Sequence, residues 1–366
     1  MSHRPSPRAV GAALGTLALV GASDVAAAHV RYVTDGTEPV DVVAFLVSTL
    51  TDPLNLAVLA AGAVAVAGGV LAYLRVRPAR ADVDAFHRAV SDYADLLPWL
   101  LRLAVGLPLV GAGFAGYFFS PLVTLGDPTV VRLFGITLGF LLLFGLATRF
   151  VAAVGLLVYL VALAGDPTLM LAFEYVPGFV ALVLVGSGRP SADDVVARVA
   201  DDDRTYYSRI DPVYRAVAVP FRRRVEPYQR YVPVVLRVGV GVAFVYLGVS
   251  QKLLAPGPSL AVVEKYHLTA VVPVSPALWV VGAGLTETLV GVAFLVGLFS
   301  RAFALVAFCL LTTTLFGLPD DPVLAHVSLF GLASALLVVG SGPASVDAWL
   351  RRVADDDAPA DRTAST

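Results

Sequence analysis

Nine long apolar runs, separated by polar segments, dominate this sequence and restrict the folds that the chain can adopt. A helix needs about 20 apolar residues to cross the hydrocarbon core of a bilayer. The shorter runs therefore require tight packing against neighbouring helices or a locally thin bilayer. The pattern predicts an all-α, polytopic membrane protein with spans at about 55–74, 97–118, 130–147, 150–164, 171–187, 233–254, 276–298, 302–318 and 323–340.

The composition agrees with this class of protein. Charged residues make up 15% of the 366 residues, whereas soluble domains carry about 25%. Cys309 is the single cysteine, which excludes an intrachain disulfide and a CxxC redox pair. Its apolar neighbours predict a buried side chain. The sequence contains no P-loop, dinucleotide-binding or HExxH pattern.

The first 28 residues have the pattern of a secretory signal peptide. Arg4 and Arg8 precede an apolar stretch at 10–20, and three alanines at 26–28 end the segment just before His29. An uncleaved anchor helix is the alternative. Residues 29–54 are polar enough to lie outside the bilayer as an external segment.

Arginines are concentrated in the segments 75–96, 188–232 and 341–366, all of which lie on one side of the membrane if nine helices span it. The positive-inside rule then places the mature N-terminus outside a cell membrane and the C-terminus in the cytoplasm. The run RRRVEPYQR at 222–230 suits lipid headgroups better than nucleic acid, so the bilayer is the expected partner. Four arginines at inner helix ends are interpreted as interfacial anchors: Arg102, Arg149, Arg237 and Arg301.

Two halves of the chain repeat the same motifs. LPWLLRLAVG at 97–106 matches VPVVLRVGVG at 232–241, and VGSGRPSAD at 185–193 matches VGSGPASVD at 339–347. The matches predict a tandem duplication of a four-helix unit, with both copies in the same orientation because each has an even number of spans. Ser191 and Ser345 are predicted to N-cap short surface helices, with Asp193 and Asp347 in the first turn.

The predicted organisation follows from these patterns. It comprises a signal peptide at 1–28, an external segment at 29–54, a single transmembrane helix at 55–74, a cytoplasmic linker at 75–96, a divergent four-helix unit at 97–199, a basic linker at 200–231, a second four-helix unit at 232–352 and a disordered acidic tail at 353–366.

The second half resembles the DoxX family of four-helix membrane proteins, and the first half resembles it more weakly. The residues that carry the resemblance are Leu236, Arg237, Gly241, Gly248, Lys252, Glu287, Gly291, Gly297, Arg301, Gly340, Gly342, Ser345 and Asp347. The first copy has Tyr117 where the second has Lys252, and Gly135 where the second has Glu287. Any chemistry that uses these two charges therefore belongs to the second copy.

The resemblance implies a function as well as a fold. DoxX proteins are associated with quinone-linked redox complexes, notably the membrane subunit of thiosulfate:quinone oxidoreductase. The implied function is a membrane-embedded subunit that works with a partner redox subunit on electrons from reduced sulfur. The alternative is a non-enzymatic membrane scaffold, or a module that binds small molecules or lipid.

Glu287 and Lys252 are the candidate catalytic residues. Glu287 lies near the middle of its predicted span, where a carboxyl is costly unless it is paired or protonated. Lys252 lies near the outer end of the preceding span, with Tyr246 and Gln251 as candidate quinone contacts. The alternatives are an ion pair that only fixes helix register, or a Lys252 that reaches the interface alone. Glu174, near an outer helix end, is expected to be solvated or locally paired.

Three histidines, His29, His267 and His326, fall on or near the predicted outer face. If signal cleavage makes His29 the N-terminus, its amine and imidazole could chelate Cu(II) with help from a second histidine. The alternative is that the three are unrelated polar residues. Quinone is the candidate cofactor. The sequence has no evident haem, flavin or iron–sulfur ligands.

Overall fold

The structure is a computed structural model that describes residue 33 and residues 39–76, 78–210 and 214–356. The predicted signal peptide, His29 and residues 357–366 lie outside these residues. The described part of the chain contains helices and no β-strand. The prediction of an all-α, polytopic membrane protein is therefore confirmed.

The N-terminal part forms three helices, α1 (Val42–Thr51), α2 (Pro53–Val76) and α3 (Arg80–Ser91). Helix α1 lies inside the predicted external segment, where the sequence analysis had no helix. Helix α2 is the predicted single transmembrane helix. Its apolar side chains are exposed around the helix, and Asn55 is its one buried residue. A bilayer provides the apolar surroundings that such a helix requires.

Helix α2 contacts the rest of the protein near both of its ends. Ser275 Oγ donates a hydrogen bond of 3.3 Å to Asn55 Oδ1. At the other end the rings of Tyr73 and Phe299 meet edge to face, 5.5 Å apart. Because Ser275 and Phe299 flank the same helix of the second unit, α2 runs alongside that helix.

Both predicted four-helix units consist of helices joined by loops. The first consists of α4 (Leu97–Ala115), α5 (Pro128–Phe144), α6 (Thr148–Gly165) and α7 (Tyr175–Val185), followed by the surface helix α8 (Ala192–Asp201). Two short helices, α9 (Tyr206–Ile210) and α10 (Val219–Val225), lie in the linker. The second unit consists of α11 (Val232–Gly248), α12 (Pro256–Lys265), α13 (Pro276–Val296), α14 (Ser300–Gly317), α15 (Leu324–Val339) and the surface helix α16 (Val346–Asp356).

The observed helices agree with the nine predicted spans in position but not always in length. Six described helices are long and apolar enough to cross a membrane, namely α2, α4, α6, α11, α13 and α14. Helices α5, α7 and α15 are shorter, with 17, 11 and 16 residues. Helix α12 occupies the longer first loop of the second unit. Helix α16 continues to Asp356, four residues past the predicted end of the second unit at 352, which stays a prediction.

The two units contact each other through corresponding helices. Helix α4 packs on α15, and α7 packs on α11, so the first helix of each unit contacts the fourth helix of the other. A Cβ atom on Gly331 would lie 2.3 Å from Ala104 Cβ, and one on Gly239 would lie 2.3 Å from Pro177 Cβ. Ala104 corresponds to Gly239, and Pro177 to Gly331, in the sequence repeat. Exchanging the units therefore reproduces the contact, as at an isologous interface.

A buried arginine joins the helices of each unit at the arginine-rich end of the bundle. Arg102 on α4 is 4% exposed, and Arg237 on α11 is 3% exposed. Each guanidinium donates hydrogen bonds to carbonyl groups at the end of the second helix and in the segment after the fourth helix. The acceptors are Leu142, Leu143, Ser187 and Pro190 for Arg102, and Phe294, Leu295, Ser341 and Ala344 for Arg237.

These contacts correct the interpretation of the two arginines as interfacial anchors. The last carbonyl groups of a helix have no partner within the helix, and water is scarce at membrane depth. A guanidinium offers five N–H donors and satisfies several such carbonyls at once. Arg149 and Arg301 do the same for the last turns of α7 and α15.

The surface helices add a second connection. Ser191 and Ser345 N-cap α8 and α16 as predicted, with hydroxyl groups that accept from the backbone N–H of Asp194 and Ala348. The sequence analysis placed Asp193 and Asp347 only in the first turn of these helices. In addition, their carboxylates accept hydrogen bonds from the N-termini of other helices, α6 and α14. The donors are the backbone N–H groups of Ala147, Thr148, Phe299 and Ser300.

We expect Arg102→Met and Arg237→Met each to lower the free energy of unfolding by roughly 3 kcal/mol, because several buried carbonyls lose their partners. Unfolding in mixed detergent micelles measures the change. Arg132→Met, at an exposed position on α5, is the control. Losses no larger than that of the control would contradict the role of the buried arginines.

Candidate functional site

Lys252 and Glu287 meet in the second unit. Lys252 Nζ lies 2.7 Å from Glu287 Oε2, and the two side chains are 16% and 21% exposed. The predicted pair of candidate residues is therefore in direct contact. An ion pair that is mostly buried loses much of its hydration, and it persists only with good geometry. Its partial exposure leaves both groups accessible to a ligand.

A change in helix geometry brings Lys252 to Glu287. In the first unit α4 ends at Ala115, and Gly116 follows with a left-handed backbone (φ 85°). In the second unit α11 continues into a π-helical turn over Val249–Leu253. A π turn is wider than an α turn and is frequent at functional sites. Lys252 lies in this turn and contacts Glu287. The positions of the two residues along α-helical spans did not predict this contact.

The first unit has no room for a second such pair. A Cβ atom on Gly135 would lie 2.9 Å from the carbonyl oxygen of Leu109 and 3.0 Å from Gly113 Cα. Both are backbone atoms of α4, which cannot move aside without shifting the helix. A carboxylate at this position would therefore separate α4 from α5. The chemistry of Lys252 and Glu287 is confined to the second unit.

Tyr246 and Gln251 lie on the same stretch of chain as Lys252. Gln251 is fully buried in the π turn, and a side-chain hydrogen bond joins it to the half-buried Tyr246. Ser259 on α12 donates to the Gln251 carbonyl over 3.2 Å. Helix α12 thus fixes the π turn from outside. The role of Tyr246 and Gln251 as quinone contacts stays a prediction.

An acid–histidine pair that the sequence analysis missed lies near Lys252. His326 Nε2 is 3.3 Å from Asp321 Oδ2, and both side chains are buried. Burial raises the pKa of Asp321 to about 7, and the nearby Lys252 ammonium partly offsets this rise. The available signal was the polar sequence LPDDP between two apolar runs. It did not reveal which of the two aspartates turns inward.

Glu174 is buried between the units, so of the two expectations, a solvated or a locally paired residue, solvation is wrong. Its side chain is 2% exposed, and Ser328 Oγ donates a hydrogen bond of 2.9 Å to its Oε1. Glu174 and Ser328 are equivalent positions in the sequence repeat. Two corresponding positions therefore contact each other between the units, at the end opposite the arginines.

The candidate copper ligands do not meet in the described residues. His267 is exposed, whereas His326 is buried against Asp321. His29 lies outside the described residues, and the copper hypothesis, which depends on it, stays a prediction. Within the part of the chain that the structure describes, no three His, Cys, Asp or Glu residues are grouped to hold a metal ion. Cys309 is exposed on α14, so its predicted burial is wrong.

The Asp321 environment predicts a pH-dependent effect of Asp321→Asn. Because the pKa of Asp321 is about 7 when folded and 3.8 when unfolded, the unfolded chain is deprotonated first as the pH rises. The native protein therefore loses stability between about pH 4 and pH 7. The Tm of Asp321→Asn relative to the native protein should rise over that interval and then level off.

Asp320→Asn is the matched control. Lys265 and Tyr266 donate to Asp320 and lower the pKa of its carboxyl. The ionised Asp320 carboxylate therefore stabilises the fold fully at any pH above its pKa in the unfolded chain. This stabilisation is lost only at lower pH. The Tm difference of this variant should be constant between pH 5 and pH 8. If the Tm differences of the two variants from the native protein changed with pH in the same way, the burial of Asp321 would be contradicted.

Comparison with known proteins gives one match. The DoxX family model matches residues 232–326, which extend from the start of α11 into the start of α15. The matched segment includes Lys252, Glu287, Asp321 and His326. No curated protein and no solved structure matches the chain. The second unit of this polytopic membrane protein is thus similar to the DoxX family over the segment that contains the ion pair.

Proposed function

We propose that the chain is a DoxX-family membrane subunit of a quinone-linked oxidoreductase, and that its second unit receives the quinone. The half-buried ion pair between Lys252 and Glu287 carries this proposal. Ionisable groups within a membrane bundle are costly, and they are usually kept for function. The DoxX match covers both residues.

The chemistry of the pair suits a quinone headgroup. Reduction of a quinone takes up two electrons and two protons, and its carbonyl oxygens accept hydrogen bonds. The Lys252 ammonium has three donors, of which Glu287 takes one. Glu287 and the neighbouring Asp321 are groups that can hold a proton close to Lys252. In this proposal a partner redox subunit delivers the electrons, with reduced sulfur as the donor class.

We also infer that the two units arose by tandem duplication. The support is that equivalent residues make equivalent hydrogen bonds. Arg102 and Arg237 bind carbonyls at corresponding positions, and Asp193 and Asp347 cap corresponding helix N-termini. After duplication, one copy retained the tight α4–α5 crossing at Gly135, while the other accommodated Glu287.

A non-enzymatic scaffold or small-molecule-binding module is the second candidate function. The observation in its favour is that the arginine and aspartate contacts occur in both units, whereas the ion pair occurs once. Most of the repeated residues thus hold helices together and have no chemical role. In this alternative, Lys252 and Glu287 only fix the register of α11 and α13.

Two variants separate these functions. In the oxidoreductase subunit, Glu287→Gln should weaken binding of a short-tailed quinone by about tenfold, because it removes the charge that orients Lys252. The double variant Lys252→Met/Glu287→Leu should abolish binding and keep a Tm close to that of the native protein, since an apolar pair can replace a buried ion pair. Isothermal titration in detergent measures the binding.

The ion pair of Lys265 and Asp320 provides the matched control, since it is exposed and lies on the same side of the second unit. The double variant Lys265→Met/Asp320→Leu should bind the quinone normally. If the folded Lys252→Met/Glu287→Leu variant also binds the quinone normally, the pair is structural and the scaffold function is favoured.

We propose that the arginine-rich end faces the cytoplasm. Cys309→Ala provides a cysteine-free background, into which Tyr206→Cys and Val271→Cys are introduced singly. Both positions are strongly exposed, and they lie at opposite ends of the bundle. An impermeant maleimide should label Val271→Cys in intact cells and Tyr206→Cys only after lysis. The reverse labelling pattern would show that the arginine-rich end faces outward.

A further inference from the structure

A cavity of about 320 Å³ lies between the two units at the arginine-rich end. Its ten lining residues form five pairs of equivalent positions in the repeat. The pairs are Ala94 with Gln229, Asp95 with Arg230, Leu97 with Val232, Pro98 with Pro233, and Val185 with Val339. A cavity lined only by such pairs lies between corresponding parts of the two units.

This cavity is a partly open depression between the two units. Four helices meet between the units, and each packs on the next in the order α4, α15, α11, α7 and back to α4. The cavity is lined in part by residues at the ends of these four helices. Its rim residues Ala94, Asp95 and Arg230 are exposed, so a ligand enters from the aqueous side. Its volume is within the range of small-molecule sites, about 300–1,000 Å³.

The cavity has a symmetric apolar floor and an asymmetric polar rim. Leucine, valine and proline side chains from both units form the floor. At the rim the symmetry is broken, because an acidic residue, Asp95, corresponds in the repeat to a basic residue, Arg230. An acidic and a basic residue thus line one largely apolar cavity. A ligand that complements them has a positive group, a negative group and an apolar body.

We propose that this cavity binds a small zwitterion with an apolar body, such as an amino acid with a branched aliphatic side chain. The carboxylate pairs with Arg230, the ammonium pairs with Asp95, and the side chain fills the floor. This site is separate from the Lys252–Glu287 pair and does not depend on the proposed redox function.

Local contacts prepare Arg230 for a carboxylate. Its guanidinium lies over the Tyr231 ring, 4.8 Å from the ring centre, and donates to the Tyr231 hydroxyl. These contacts restrict a side chain that is otherwise mobile, which reduces the entropy lost on binding. The neighbouring Gln229 donates its amide to the Leu184 carbonyl over 3.2 Å. Gln229 thereby holds the rim segment against α7.

The test uses the full chain in lipid nanodiscs and three probes of similar shape. These are L-leucine, 4-methylpentanoate, which lacks the ammonium, and 3-methylbutylamine, which lacks the carboxylate. Isothermal titration should show that L-leucine binds the native protein. Arg230→Gln should weaken L-leucine and 4-methylpentanoate by about five- to tenfold and leave the amine unchanged. Asp95→Asn should weaken L-leucine and the amine by a similar factor and leave the acid unchanged.

Two further variants complete the test. Val339→Phe fills the floor and should weaken all three probes, while Arg223→Gln, an exposed arginine outside the cavity, should weaken none. Thermal unfolding verifies that each variant is folded. Absence of L-leucine binding at millimolar concentration would overturn the proposal. Equal effects of Arg230→Gln and Arg223→Gln would also overturn it, in favour of diffuse attraction by the arginine run. A phospholipid that co-purifies only when Arg230 is present would overturn it in favour of a lipid site.

Discussion

The contact between a buried guanidinium and the carbonyl ends of helices holds each four-helix unit together. Arg102 and Arg237 extend from the first helix of their units to the end of the second helix and to the segment after the fourth. Arg149 and Arg301 attach the third helix to the fourth. Inside a membrane bundle these carbonyls have no water to bind. Hydrogen bonds therefore fix the helices of each unit at one end. Apolar packing has to align these helices only along the rest of their length.

The two units also differ from each other at the end opposite the arginines. There α4 stops at a left-handed glycine, whereas α11 continues into a π turn and is followed by α12. The ion pair of Lys252 and Glu287 is located in this divergent part. The same division explains why Gly135 and Glu287 can occupy equivalent positions. The repeated contacts keep the helices in place while a single crossing changes.

The repeated motifs and the apolar helices could be predicted from the sequence. The contacts of the polar residues could not. Helix positions followed from apolar runs, and the N-caps Ser191 and Ser345 followed from local spacing. The burial of Arg237 could not be predicted, because its acceptors are backbone carbonyls that have no signature in the sequence. The pairing of Asp321 with His326 could not either, since a loop composition does not define which side chain turns inward.

The same limit applies to Lys252 and Glu287, although both were recognised as candidates. Assuming α-helical geometry, Lys252 lies too near the outer end of its span to meet Glu287 comfortably. In the structure Lys252 lies in a π turn, and such turns are rare and have no strong sequence signal. A repeat alignment shows which positions are equivalent. It cannot show which residue the side chain at one of these positions contacts.

The proposed duplication bears on the contacts between the two units. In a dimer of identical units, a residue on the twofold axis meets its own copy, so a charged residue there faces a like charge. Here Glu174 meets Ser328 at one end of the bundle, and Asp95 shares a cavity rim with Arg230 at the other. Each pair consists of equivalent positions occupied by different residues. If the units arose by duplication, as we propose, one chain can hold different residues at two positions that would carry the same residue in a dimer of identical units.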